Sequence, residues 1–412
     1  MFGRWAVLCF LVAVSGCSCR KVEPSPPSDG AAPAKLDKPV ALVGPEGHPT
    51  SFAPKVTPLS TCNANGLQPL DAARKWHDEG KFDEALSCAA QATALTPDDP
   101  LGHSERGAAL ASMGRLDEAQ VAYARALALD PEFPDALLGA AHLYGVALPS
   151  SRERDELAAV YSERGLAAAR EQKDSELTGQ FALLSAMAFN DLGQARDALD
   201  RSELALSLAP GGREAAYERA VALFELCRFA DAKQAFLTML DDPERGAHAH
   251  HHLGLLLERE GKAREAAEHF AKARSLSPDD FPDPQLLPAD QFKREIDLAV
   301  ASLPADMRRD LDGIPVTAEE LPRTDDLVSG DPPLSPAILG LFRGPPLPEP
   351  CEPEPGAAPG QPCRSVALYR LNLARAVRSR EELVEQIRVT LLHEIGHLRG
   401  EDDFELAARG LE

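Results

Sequence analysis

Hydrophobic and polar positions follow four different patterns along these 412 residues. Trp5 to Val14 is an unbroken apolar run behind one positive charge in Met1 to Arg4. That is the length of an export-signal core, too short to span a bilayer as a permanent helix. From Val22 to Leu59 apolar periodicity is nearly absent and Pro, Ala, Ser and Gly prevail, which predicts a disordered tether. From about Gln68 to Asp280 small and apolar residues return at a fixed interval. The segment Gly80 to Ala85 reappears as Gly114 to Ala119, thirty-four residues on, and Pro97 reappears as Pro131. Gly193 to Ala198, Cys227 to Ala232 and Gly261 to Ala266 carry it again, with their final alanines thirty-four apart. Ala92, Ala126, Ala205 and Ala273 each follow such an alanine by seven residues. Near the C-terminus, Leu383, Ile387, Leu391 and Ile395 form the stripe of an amphipathic helix, and Ser379 with Glu382 has capping-box spacing at its start.

Each thirty-four-residue period holds two short helices, closed in several repeats by a proline (Pro97, Pro131, Pro210, Pro278). The alanines fall where helices of one pair, and of neighbouring pairs, approach too closely for a larger side chain. Ala119 and Ala198 are 79 residues apart, two periods plus eleven, so the third of six repeats is irregular, with its extra residues expected around Val146 to Asp155. The array resembles the tetratricopeptide repeat. That resemblance implies a superhelix whose concave face holds a peptide or a protein partner. Within it, His248, His250, His251 and His252 point in different directions on a helix. The repeat register predicts His250 and Leu253 inside a helix pair, as packing residues with no metal role.

Length beyond about 250 to 300 residues predicts more than one packed unit. Aromatic content of 5% disfavours a β-rich fold, so the chain reads as mainly α, with an α-solenoid of helix hairpins. With 65 acidic against 43 basic residues and a net charge of −22, nucleic acid is excluded as the main partner. Val14-Ser15-Gly16-Cys17 resembles a bacterial lipobox. That resemblance implies cleavage after residue 16 and a lipid on Cys17, with Cys19 the alternative. It would anchor an exported protein to the cell envelope by lipid, with the folded part at a membrane surface. Outside the signal and lipobox stand Cys62, Cys88, Cys227, Cys351 and Cys363, which an exported protein can oxidise. Cys351 and Cys363 bracket a Pro/Gly-rich loop, and a disulfide closing roughly a dozen residues stabilises by about 3 kcal/mol. That bridge is expected.

The candidate chemistry lies in His393-Glu394-Ile395-Gly396-His397. Histidines four apart share one helix face and can bind one Zn²⁺, while Glu394 lies where it can polarise a metal-bound water as general base. Fifteen residues follow His397, too few for a third ligand on a distant helix. A turn at Gly400 would bring Asp403 to the metal in an H-E-x-x-H-x-x-G-x-x-D pattern, with Asp402 the nearest competitor. No methionine follows the motif, so a Met-turn is absent. From about Asp290, through Ile338 to Gly344, Val366 to Arg370 and Val389 to Asp403, the chain resembles small bacterial zincin-like metallopeptidases. The resemblance implies a small α+β domain, peptide hydrolysis, His393, His397 and Asp403 as zinc ligands, and Glu394 as catalytic base. The expected organisation is a signal peptide at 1–16, tether at 17–67, repeats at 68–280 and zincin-like domain at 286–412. Val366 to Arg370 is expected as an edge strand that pairs with substrate. Tyr369 on it is read either as an oxyanion donor or as packing, and Arg399 as a surface residue. Two function classes stand: an envelope metallopeptidase whose repeats recruit its substrate or partner, and a non-catalytic adaptor whose zincin domain only binds metal or peptide.

Overall fold

The computed structural model describes residues 61–351 and 362–411; the signal segment, Cys17 and most of the tether lie outside them. Six helix pairs follow one another: α1 (Pro69–Asp78) with α2 (Phe82–Leu95), α3 (Pro100–Ser112) with α4 (Leu116–Leu129), α5 (Pro134–His142) with α6 (Arg152–Glu171), α7 (Ser175–Asp191) with α8 (Ala195–Leu208), α9 (Arg213–Glu225) with α10 (Phe229–Leu237), and α11 (Gly246–Arg259) with α12 (Ala263–Leu276). The repeated small residues explain the pairing. Ala85, Ala119, Ala198, Ala232 and Ala266 are all buried, none more than 2% exposed. Gly80, Gly114, Gly193 and Gly261 sit at φ of +71° to +75° and end the first helix of their pairs, where a left-handed residue releases the chain. Cys227 takes the same place at φ +56° without being glycine. The irregular third repeat departs where expected: α5 runs into a π-turn at Leu143–Ala147, and α6 extends over 20 residues.

In the sixth pair His250 and Leu253 take their expected inward places: Leu253 is 1% exposed, and His250 meets His269 of α12 at 2.9 Å between Nδ1 atoms. His248 and His252, each 8% exposed, are buried as well. His252 stacks on Phe236 and its Nδ1 lies 2.9 Å from the His248 carbonyl, a packing role. A disulfide between Cys62 and Cys88, not anticipated from sequence, ties the segment before α1 to α2, and Cys351 is bonded to Cys363.

The remaining elements are α13 (Ala289–Ser302), α14 (Ala305–Asp310), β1 (Val316–Glu319), α15 (Thr324–Leu327), β2 (Gly340–Arg343), β3 (Ser365–Tyr369), α16 (Arg370–Ala376), α17 (Arg380–Arg399) and α18 (Asp403–Ala408). The sheet order is β1-β3-β2, with β1 parallel and β2 antiparallel to β3. Val366 to Tyr369 is therefore the central strand, not the edge. The reason is visible in its composition: a strand covered on both faces reads as a continuous apolar run, and these four residues are all 0% exposed. Alternate side chains enter different cores. Val366 and Leu368 join Phe292, Ile296, Ile387 and Leu391 beneath α13 and α17. Ala367 and Tyr369 join Leu327 and Ile338, against which Cys227 and Phe229 of the fifth helix pair are packed.

The repeats thus supply one of the sheet's two covers. Further contacts seal the junction: Arg375 pairs with Glu258 at 2.7 Å with both side chains 18% exposed, Arg259 donates to the Pro322 carbonyl at 3.0 Å, and Gln285 N–H donates to the Ala374 carbonyl at 2.8 Å. Glu225 faces Ser335 across the same junction, and burial pushes its carboxyl up to about 6 from 4.5. Folding then favours the protonated form. The contribution is present below pH 4.5 and is lost as pH rises through 6, by up to about 2 kcal/mol. Glu225→Gln is expected to be more stable than the parent at pH 7.5 and equal to it near pH 4. Thermal unfolding at the two pH values reads this directly, and a difference independent of pH overturns it.

Candidate metal centre

Helix α17 aims its ligands by turning one face inward and the opposite face toward the C-terminal segment. Ser379 caps it by accepting the Glu382 N–H at 3.1 Å, while the Glu382 carboxylate accepts the Arg378 N–H. Leu383, Ile387, Leu391 and Ile395 are at most 1% exposed in the core, so His393 and His397 project together from the other side. Gly400, at φ +89°, ends the helix and reverses the chain. Asp402 then caps α18, accepting the Glu405 N–H at 2.9 Å while the Glu405 carboxylate accepts the Asp402 N–H. That occupation separates the two competing aspartates: Asp402 is spent on the cap, and Asp403 turns to the histidines. Gly396 lets α18 come this close, since a Cβ there would stand 2.2 Å from Leu406 Cδ2.

The Nε2 atoms of His393 and His397 are 3.0 Å apart, and Asp403 Oδ1 lies 3.4 Å and 3.2 Å from them. Among the described residues this is the group of three side chains fit to hold a metal. A tetrahedral zinc with ligands at about 2.0–2.1 Å spaces its donors about 3.3 Å apart, so the donor set fits zinc in kind and in spacing. Each Nδ1 is engaged with a main-chain oxygen, His393 with Leu411 at 2.6 Å and His397 with Glu401 at 3.1 Å. These bonds assign the proton to Nδ1 and leave Nε2 free to ligate. Burial opposes ionisation of Asp403, but the two histidines beside it hold its carboxyl well below the usual range. Burial works to lower His397, and Asp403 outweighs it, so the imidazole is raised.

Glu394 is 1% exposed. Burial pushes its carboxyl up, against the pull of His393 and His397. Its Oε2 accepts the Phe342 N–H at 2.7 Å, while its Oε1 is buried with no hydrogen-bond partner. Gly340 permits this proximity: a Cβ there would meet Glu394 Oε1 at 2.8 Å and Thr390 Cγ2 at 2.7 Å. The strand beside the site is therefore β2, and Phe342 turns its N–H away from β3 toward the glutamate.

Tyr369 has the packing role of its two expected alternatives. It is fully buried on the repeat-facing side of the sheet, and Arg343 Nη2 donates to its hydroxyl at 3.4 Å. Arg343, unnoticed in the sequence, also donates twice to Glu319 at 2.8 Å and 3.0 Å, and twice to Asp326 at 3.2 Å and 2.7 Å. It joins β1, α15, β2 and β3 through one guanidinium. Arg399 pairs with Asp306 and Asp310, tying α17 to α14. Cys17 lies outside the described residues.

A family model described as "Zincin-like metallopeptidase" matches residues 311–411, beginning after α13 and α14. Models of the tetratricopeptide repeat match residues 100–133 and 247–280, which are the α3–α4 and α11–α12 pairs. Among solved structures, YrrB, described as a tetratricopeptide protein with an unusual peptide-binding site, is 22% identical over 47% of this chain and 95% of its own, at a TM-score of 0.38. PilF of Pseudomonas aeruginosa is 17% identical over 51% and 91%, and PilW, described as a widely conserved type IV pilus biogenesis factor, 18% over 51% and 93%, each at 0.41. No curated protein sequence matches. The chain joins a tetratricopeptide array to a zincin-like metallopeptidase domain.

Proposed function

We propose that this chain is a zinc-dependent peptidase, exported and anchored to the bacterial cell envelope by a lipid on Cys17, whose repeats recruit a protein substrate or partner. The observation that carries the catalytic reading is Glu394. A carboxylate buried to 1% exposure beside two ligand histidines, with Oε1 meeting no partner, is costly in a site that only binds metal. It is what a general base requires. Zinc held by His393, His397 and Asp403 would polarise the scissile carbonyl and acidify the attacking water. Glu394 takes the proton from that water and passes it to the leaving amine. An extended substrate would pair with the outer edge of β2, where Phe342 already reaches Glu394.

Purified full-length protein is expected to retain about one zinc per chain after dialysis, by elemental mass spectrometry, as catalytic sites with three protein ligands and an open fourth position do. It should cleave a casein substrate, lose that activity to a chelator and regain it with zinc. Absence of stoichiometric zinc overturns the proposal. In the producing bacterium, Cys17→Ser should move the protein from the membrane to the soluble fraction. A variant that stays with the membrane removes the lipid anchor from this account.

A further inference from the structure

The concave side of the array encloses a groove of about 1440 Å³ that runs from Glu105 past Asn190 and Tyr217 to Asp280, and closes on Pro332, Ser335 and Leu339. Its closing wall is thus the chain that enters β2, and the next residue, Gly340, stands against Glu394.

The groove is far more acidic than the protein. The whole chain has 65 acidic and 43 basic residues, whereas nine carboxylates and two arginines line the groove, with no lysine. Neither arginine is available: Arg196 pairs with Asp331, and Arg245 lies over the Tyr217 ring at 4.9 Å. Glu105 and Asp135 are paired with Arg74. Asp197, Glu214 and Glu244 line the groove and form no ion pair among the described residues. A concave wall of one sign, backed by low-dielectric protein, concentrates its field in the space it encloses.

Unmet hydrogen-bonding groups lie in the same groove. Tyr217 is 1% exposed, and its hydroxyl has no partner. Asn190 is held through its Nδ2 by Glu218 at 2.8 Å, which leaves its buried Oδ1 unbonded as an acceptor. Buried polar groups normally find partners. A polypeptide in the groove supplies them through its N–H groups, and lysine or arginine side chains supply the missing positive charge.

We propose that the groove docks an extended, lysine- and arginine-rich polypeptide segment, which the array presents to the metal centre as the recognition element of the substrate. The last clause rests on the peptidase reading; the docking does not. The test uses full-length protein freed of metal by chelation, so that binding is read without turnover, and a fluorescein-labelled peptide alternating lysine and alanine. Its anisotropy should report binding at least about tenfold tighter than that of the glutamate–alanine counterpart, weakening as salt is added. Asp197→Asn/Glu214→Gln/Glu244→Gln should lower that affinity about tenfold. Asp83→Asn/Glu84→Gln/Asp117→Asn, the same charge removed from α2 and α4 outside the groove, should leave it unchanged. Tyr217→Phe should weaken binding about threefold or more with no fall in Tm, since the hydroxyl has no partner in the folded chain. Equal affinity for the two peptides, or equal losses in the two triple variants, overturns the docking. Groove-dependent binding without cleavage by the zinc-loaded protein removes the substrate role and leaves the docking in place.

Discussion

Glu394→Gln is expected to lower kcat/KM for a peptide substrate by about 10²- to 10⁴-fold, the range a general base supplies, with zinc content unchanged. Glutamine has the same shape, and its amide oxygen can still accept the Phe342 N–H, so β2 keeps its place beside α17. What is lost is the ability to take a proton at Oε1, the buried atom that has no other partner. The fold should not suffer. Burial raises the Glu394 carboxyl, so removing its charge relieves a cost, and Tm should be equal or higher. Rate, zinc content and Tm together separate three cases. Loss of rate alone supports the assignment. Undiminished rate shows that the activity belongs to another protein, and joint loss of rate and zinc would make Glu394 part of the ligand framework.

Arg343→Met is expected to cost about 3–5 kcal/mol of stability, the range seen when one partner of a buried ion pair is removed. The side chains of Arg343, Glu319 and Asp326 are 20%, 27% and 14% exposed, and without the guanidinium Glu319 loses its charged partner while Asp326 keeps only Arg323. Arg343 also adjoins Phe342, whose N–H fixes the Glu394 carboxylate, so cleavage should fall with stability. Urea unfolding checks the magnitude. The mechanism is checked by adding Glu319→Gln and Asp326→Asn to Arg343→Met, which should recover part of the loss because no carboxylate is left short of a partner and Arg323, 64% exposed, is solvated. A triple variant as unstable as the single one would show that packing of the arginine stem, not charge, was the source.

The array was legible because its spacing is a steric requirement that recurs in five of its six helix pairs. Alanines thirty-four apart mark contacts that admit no larger side chain, and the structure buries each of them. The metal group was equally legible, since four residues is one helical turn and Gly400 marks the reversal that returns Asp403. Local geometry decides both. The strand order was misread although Val366 to Tyr369 carries the signal of a central strand, an apolar run without alternation. Read alone, such a run names no neighbours, and the cover on its second face comes from residues more than a hundred positions away. Arg343 and the Cys62–Cys88 bridge stayed hidden because pairings seventeen to twenty-six residues apart leave no periodicity either.

With Cys227 and Phe229 packed against the sheet, the wall of the concave groove runs directly into β2 beside Glu394. If the proposed docking and peptidase roles hold, a polypeptide gripped by the array would be offered to Glu394 at a set offset along its own chain. Such an enzyme would work as a ruler: the bond it cuts would be chosen by counting from the gripped segment, and the side chains flanking that bond would matter less than how far along the strand it lies.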